Sequence, residues 1–341
     1  MKIIVDAMGG DNAPQAPVEG ALRAKKELGV DIVLVGKESE IRRELGDRAG
    51  EVEIVPAEDM ITMDEDPVSA VRNKKNSSMV VALRMLSSGE GDAVVSAGST
   101  GALLTGATLI VKRINGIRRA AMAPVLPAGE HGVMLIDCGA NAECTPEYLL
   151  QFACMGSFYA GKIMGCENPR VGLVSNGTED SKGDELRHRT FELLKAAGDA
   201  GRINFVGNVE GTTVFSGAVD VAVTDGFTGN VLLKTAEGVI KFIMKSLKGV
   251  FYKSTVNKLA AAVLKKDLGE MKKSLDVNEV GGTALLGISK PVIKAHGSSD
   301  ASSIFAAVRQ AKVFAESGII EDIKANIGFF RTGPDEGSKA E

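Results

Sequence analysis

Val171-Gly-Leu-Val174 runs directly into Ser175-Asn-Gly-Thr-Glu-Asp-Ser-Lys-Gly183, and an amphipathic segment, Asp184 to Ala197, follows. A short apolar run bounded by polar residues reads as a buried strand, and the amphipathic segment after it as a helix. The loop between them carries far more polar chemistry than a turn needs. A strand-to-helix loop points backbone N–H groups and the positive end of the helix beyond the sheet, where an anion is welcome. Lys182 adds a point charge suited to a phosphate or an oxyanion. This loop is therefore expected to line an active site.

The same grammar recurs outward in both directions. Lys2 to Val5 runs into Asp6–Asp11, Ala93 to Val95 into Ser96–Ala102, and Val133 to Ile136 into Asp137–Asn141. Ile203 to Val206 runs into Gly207–Gly211, Val219 to Val223 into Thr224–Asn230, and Val292 to Lys294 into Ala295–Asp300. Further strands are expected at Asp31 to Val35, Val52 to Val55 and Ala121 to Leu126, with helices at Pro14 to Leu28, Glu38 to Leu45, Ser77 to Leu86 and Pro146 to Met164. Strands alternating with helices predict an α/β protein built on a doubly wound sheet, with ligands beyond the carboxyl ends of the strands. One such loop would be explained by helix capping and chain turning alone. Seven, all rich in glycine and small polar residues, point to a phosphate-handling site.

Composition narrows the classes. The 341 residues are 44% hydrophobic and 25% charged, enough for one large or two medium domains. A net charge of −4 argues against a general nucleic-acid binder, which is usually basic. Cys138, Cys144, Cys154 and Cys166 form no CxxC pair, and three scattered histidines suggest no zinc site. Reduced thiols in a cytoplasmic protein are expected. The N-terminal MKIIVDAMGGD lacks signal-peptide architecture, and no apolar stretch approaches a membrane span. No P-loop, complete GxGxxG after a strand, or GxSxG elbow is present. Small donors are plentiful and obvious nucleophiles few, which suits a reaction whose nucleophile is a bound anion.

Taken in order, DAMGGD (6–11), SAGSTGA (96–102), DCGAN (137–141), SNGTEDSKG (175–183), GNVEG (207–211), TDGFTGN (224–230), GGTALLG (281–287) and KAHGSSD (294–300) make a pattern. It resembles the bacterial acyl-ACP:phosphate acyltransferase family from residue 1 to about 331. Asp184 departs from it, where asparagine is frequent, and places an acid beside Lys182. The resemblance implies transfer of an acyl group from acyl carrier protein (ACP) to inorganic phosphate. The acyl phosphate feeds a downstream glycerol-3-phosphate acyltransferase in phospholipid synthesis. It also implies a three-layer αβα fold with a mixed sheet, similar to isocitrate and isopropylmalate dehydrogenases, in a homodimer. No metal or nucleotide cofactor is implied. A phosphotransacetylase acting on short-chain acyl-CoA, a dehydrogenase of the related fold and a non-catalytic membrane scaffold are the competing readings.

Under that reading, phosphate attacks the thioester carbonyl and the enzyme holds both and stabilises the oxyanion. Lys182 is expected to neutralise phosphate or the oxyanion. His296 is a candidate general acid or oxyanion donor, Asn230 a donor, and Asp225 an orienting group or base. Ser99, Thr100, Asn176, Gly177, Asp6 and Asn141 form the expected phosphate and substrate set. Ser99 and Thr100 as plain helix caps would look the same. Asp11 and Asp137 are weaker candidates that bind backbone N–H groups.

One stretch breaks the sheet grammar. From Ala236 to Leu275 helical periodicity persists without a strand signal, and Lys241 to Lys273 holds nine lysines against Asp267 and Glu270. Such helices read as a projecting arm packing on a second subunit. Val250, Phe251 and Tyr252, in an expected turn beside lysines, suit peripheral contact with anionic lipid. The basic patch equally suits acidic ACP. Residues 1–331 are expected to form one two-lobed acyltransferase domain, and 332–341, with no apolar segment to bury, a disordered tail.

Overall fold

Ala93-Val-Val-Ser96, Val133–Ile136, Val221–Val223 and Val292–Lys294 are buried at every position. That is the signature of parallel strands covered on both faces, and alternation is absent for that reason. The structure, a computed structural model, describes residues 1–274 and 281–331, with nothing said of the side chains at 272–274.

The strands form two sheets. The first has seven, in the order β3 (Glu53–Pro56), β2 (Asp31–Gly36), β1 (Lys2–Asp6), β4 (Ala93–Ser96), β12 (Val292–Lys294), β11 (Thr283–Leu286) and β5 (Ala121–Ala123). Strands β3 to β12 in that order run parallel, and β11 is antiparallel to both its neighbours. The second sheet has five, in the order β6 (Val125–Leu126), β7 (Val133–Ile136), β10 (Val221–Val223), β8 (Arg170–Val174) and β9 (Asn204–Val209), with only β6 antiparallel. The mixed α/β character matches expectation, but the one sheet foreseen is two. The predicted strand Ala121–Leu126 is where they part. Pro124 has no N–H for a ladder, and there the chain leaves the edge of one sheet for the edge of the other.

A single apolar cluster nevertheless includes strands of both sheets, together with the Pro146–Lys162 helix. Gly156 lets that helix approach Val221, since a Cβ there would lie 2.5 Å from its Cγ1. Tyr159, one turn on, accepts a hydrogen bond from Gln310 of the Ala301–Glu316 helix, which packs against β12 and β4.

Two further elements were hidden in motifs. GGTALLG holds β11, a strand not marked in the sequence reading. TDGFTGN is the first turn of a helix that runs from Gly226 to Tyr252. Its glycines pack rather than turn. A Cβ on Gly229 would lie 2.0 Å from the Asp137 carbonyl oxygen, and one on Gly226 2.6 Å from that of Asn141. The helices Thr255–Val263 and Lys265–Ser274 follow it. The expected turn at 249–253 is therefore shorter: Val250, Phe251 and Tyr252 lie in the last helical turn. Val250 and Tyr252 are exposed and Phe251 is half-buried. Lys248 and Lys258 both lie 5.8 Å from the Tyr252 ring centroid. No helix among the described residues is long and apolar enough to cross a membrane. The tail 332–341 and Leu275 lie outside the described residues.

Candidate active site

Six of the seven predicted loops leave the carboxyl ends of parallel strands, three from the first sheet and three from the second. In the seventh, Gly207 to Val209 belong to β9 itself and only Glu210 separates that strand from the Gly211–Val214 helix. Between the sheets lies a cleft of about 430 Å³. Thr100, Lys294, His296 and Gly297 line it from the first sheet; Cys138, Gly139, Asn230 and Lys234 line it from the second. Met122 to Val125, the crossover strands, close one wall.

The loops of the first sheet are held by a buried carboxylate and by backbone. Asp6 accepts from the Ser96 hydroxyl at 2.6 Å and the Met8 N–H at 3.2 Å. Burial raises its pKa, against the opposing bonds from Ser78, Ser96 and Met8. A Cβ on Gly9 would sit 2.6 Å from the Gly98 nitrogen, so the two loops meet only because position 9 is glycine. The Asp11 N–H donates to the Gly297 carbonyl at 2.7 Å, drawing in the third. Ser99 is buried and caps the Thr100–Gly106 helix, accepting from Ala102 N–H at 3.4 Å, while Thr100 is exposed to the cleft.

His296 is exposed. The Ser298 N–H donates to its Nδ1 at 3.2 Å, and the Ser298 hydroxyl lies 2.9 Å from the same nitrogen. The neutral ring therefore carries its proton on Nε2. Partial desolvation, and next the charge of Lys234, lower the His296 pKa. A neutral imidazole presenting an N–H suits an oxyanion donor better than a base. Asn230 is exposed and lies over Gly139, and its side chain makes no hydrogen bond among the described residues, so its amide is free for a ligand.

The second sheet's loops hang on Asp137. Fully buried, it accepts from the N–H groups of Met122, Ala140 and Asn141 at 2.8, 3.3 and 2.6 Å. The Asn141 amide donates to the Ala120 carbonyl at 2.8 Å and to Asp137 at 3.0 Å. Both amide hydrogens serve the loop.

Lys182 is not in this cleft. It is exposed, and its stem covers Gly177, where a Cβ would lie 2.6 Å from Lys182 Cγ. Asn176 lines a second, open cleft of about 510 Å³ with Ser175, Gly183, Asp184, Arg187 and Thr228. Asp184 turns to Arg187 and not to Lys182: it accepts the Arg187 N–H at 2.9 Å and its guanidinium at 3.1 Å. Asp225 caps the Gly226–Tyr252 helix through Thr228 N–H at 2.8 Å, and also accepts from Arg187. Burial works against the Asp225 carboxylate, yet Thr228 and Arg187 hold it below the usual range. Asp225 thus orients and caps.

Comparison with known proteins agrees with this frame. Residues 1–322 match the family described as fatty acid synthesis protein. The phosphate acyltransferase of Oceanobacillus iheyensis is 47% identical over 328 residues, covering 96% of this chain and 97% of that protein. The phosphate acyltransferase of Clostridioides difficile is 45% identical, covering 95% of each. The chain belongs to the fatty acid synthesis protein family. Solved structures of the same fold include a phosphotransacetylase from Streptococcus pyogenes, with a TM-score of 0.63 at 19% identity over 92% of this chain and 94% of that one. A branched-chain phosphotransacylase from Enterococcus faecalis has a TM-score of 0.59 at 14% identity, over 93% and 99%.

In this family member, sequence reasoning missed three cations. Arg187, only 12% exposed, binds Asp184, Asp225 and Thr228; its signal was an arginine three residues after a helix cap. Lys234 pairs with Glu237 at 3.0 Å on the cleft rim. Lys294 ends a fully buried strand. A lysine closing an apolar run, just before a polar loop, was the legible sign.

Proposed function

We propose that this chain transfers a fatty acyl group from acyl-ACP to inorganic phosphate, giving acyl phosphate and free ACP for phospholipid synthesis. The observation that carries the reading is the chemistry of the inter-sheet cleft: amide, imidazole and ammonium donors line it together with a thiol, Cys138, that is held protonated. Burial pushes that thiol well above its ordinary value, Asp137 adds to the effect, and Sγ lies 3.7 Å from the Leu135 carbonyl. A protonated thiol is a poor nucleophile, which leaves the role to phosphate.

A phosphate oxygen attacks the thioester carbon while the carbonyl oxygen takes the electron pair. The His296 Nε2–H and the Asn230 amide donate to that oxyanion. Collapse expels the thiolate, which needs little acid assistance because its conjugate acid has a pKa of about 8.5. Thr100 and, behind it, Ser99 shape the phosphate side. Asp6 and Asn141 keep the loops in place. Arg187, oriented by Asp225, sets the wall of the second cleft, which Asn176 also lines, and Lys182, exposed beside it, is left to meet the acidic carrier protein.

The fold is read as the isocitrate/isopropylmalate dehydrogenase type, with residues 1–331 one acyltransferase unit and the helices after Ala236 its arm. Support for a homodimer comes from the apolar face of the Gly226–Tyr252 helix, where Phe227 is 67% and Phe242 70% exposed. Exposed Val250 and Tyr252 among lysines support peripheral membrane contact. The test of function compares long-chain acyl-ACP with acetyl-CoA, each with phosphate. Acyl phosphate from the first and little from the second is expected; preference for acetyl-CoA would make the protein a phosphotransacetylase instead.

A further inference from the structure

Lys294 is 6% exposed, yet it lines the inter-sheet cleft. Its Nζ donates to the Ala97 carbonyl at 3.3 Å and to the Ala295 carbonyl. No carboxylate pairs with it: among the described residues it has no salt bridge, and no further partner. Asp6 and Asp11, from β1 and its loop, act on it only from a distance, and Lys234 from the long helix opposes them. A buried ammonium without a contacting anion is costly, by several kcal/mol in general, and such groups concentrate at functional sites.

The two carbonyls occupy two of the three ammonium hydrogens. Both carbonyls lie one residue beyond the ends of β4 and β12, and so fix Nζ at the floor of the cleft. The third hydrogen is left for a ligand. Of the two substrates, the thioester is uncharged where it reacts and brings no compensation on binding. Inorganic phosphate brings one to two negative charges and stays anionic throughout.

We infer that Lys294 is the residue that receives inorganic phosphate, its ammonium forming a charge-assisted hydrogen bond to the phosphate that attacks the thioester. This assignment rests on the phosphate acyltransferase reading and adds its phosphate subsite. Thr100, also lining the cleft, is placed to share the anion. Burial lowers the Lys294 pKa to about 8, against the opposing effect of Asp6 and Asp11. Its charge is thus gained and lost within a workable pH range, and phosphate binding favours the charged form.

The experiment uses the full-length enzyme and Lys294→Met, which matches the stem in size and removes the charge. Two quantities are read: KM for phosphate with acyl-ACP saturating, and the rise in Tm produced by inorganic phosphate alone. Removing an uncompensated buried charge leaves the phosphate-free Tm unchanged or raised. KM for phosphate rises about tenfold to a hundredfold, KM for acyl-ACP holds, and the phosphate-induced rise in Tm disappears. A phosphate KM within about threefold, or a retained Tm response, overturns the inference. So does a fall in kcat alone, which would place Lys294 on the thioester oxygen.

Should the variant misfold, the wild-type protein decides. Its phosphate-induced rise in Tm shrinks as pH is raised past about 8, although phosphate itself grows more anionic. The charged and titratable groups facing Lys294 are Asp6, Asp11, Lys234 and His296. A Tm response that holds or grows up to about pH 9.5 contradicts the inference. Acyl phosphate formation by the wild-type enzyme tests the underlying reading separately, so the two can fail independently.

Discussion

Arg187, on the helix that follows β8, donates its guanidinium to Asp225, the N-cap of the Gly226–Tyr252 helix that follows β10. The same guanidinium reaches Asp184 at 3.1 Å and the Thr228 hydroxyl at 3.1 Å. Two helices that begin above neighbouring strands are locked at their starts by one largely buried side chain, and the wall of the second cleft is set by it. Removing one partner of a buried pair strands the other. Arg187→Leu is expected to cost about 3 kcal/mol of stability, read in urea unfolding, with most activity lost. A loss below about 1 kcal/mol would mean the pair behaves as a solvated surface bridge.

Acid sensitivity follows from the carboxylates. Asp220 is penalised by burial, but the Arg170 guanidinium and N–H, at 2.8 to 2.9 Å, outweigh that and hold its pKa below the ordinary value. Asp225 is lowered likewise. A group with a depressed folded pKa contributes stability above its unfolded value, about 3.9, and loses it as pH falls through the folded one. Tm should therefore drop below about pH 4. Asp220→Asn should start lower at neutral pH and fall less steeply in acid. Parallel Tm curves for the two proteins would contradict the linkage.

Lys182 is exposed and unpaired by any carboxylate among the described residues. Its ammonium contributes little to folding, so Lys182→Ala should leave stability within about 0.5 kcal/mol. Acyl phosphate formation should fall more than about tenfold if the charge meets the anionic substrate. Activity within a few-fold of the parent would make it an ordinary surface lysine.

Membrane contact is tested at the end of the long helix. Phe251→Glu together with Val250→Glu should abolish co-sedimentation with vesicles containing anionic lipid, while activity on soluble acyl-ACP stays within about twofold. Unchanged vesicle binding would instead assign the apolar residues to a subunit interface.

Strand-and-loop order was legible because fully buried strands leave uninterrupted apolar runs, and the loops after them announce themselves with glycine. The division into two sheets was not. Ala121 to Leu126 reads as one strand, and only Pro124 hints that it changes sheet. Gly226 and Gly229 look like loop residues, and their real role, close approach to Asn141 and Asp137, is a long-range contact. For the site, glycine-rich loops drew attention to Lys182 and His296. Arg187 and Lys294 stayed hidden because their importance lies in burial, which periodicity does not report for a single charged residue. Asp184 shows the same limit: adjacency suggested Lys182 as its partner, and helix geometry gave it Arg187.

The most direct test of the mechanism is whether the enzyme itself ever carries the acyl group. Full-length protein is mixed with acyl-ACP labelled in the acyl chain, without phosphate, and quenched by denaturation. The account predicts no label on the protein, and acyl phosphate in a single turnover once phosphate is added. Label covalently attached to the enzyme, at Cys138 or elsewhere, and discharged by phosphate would contradict direct attack.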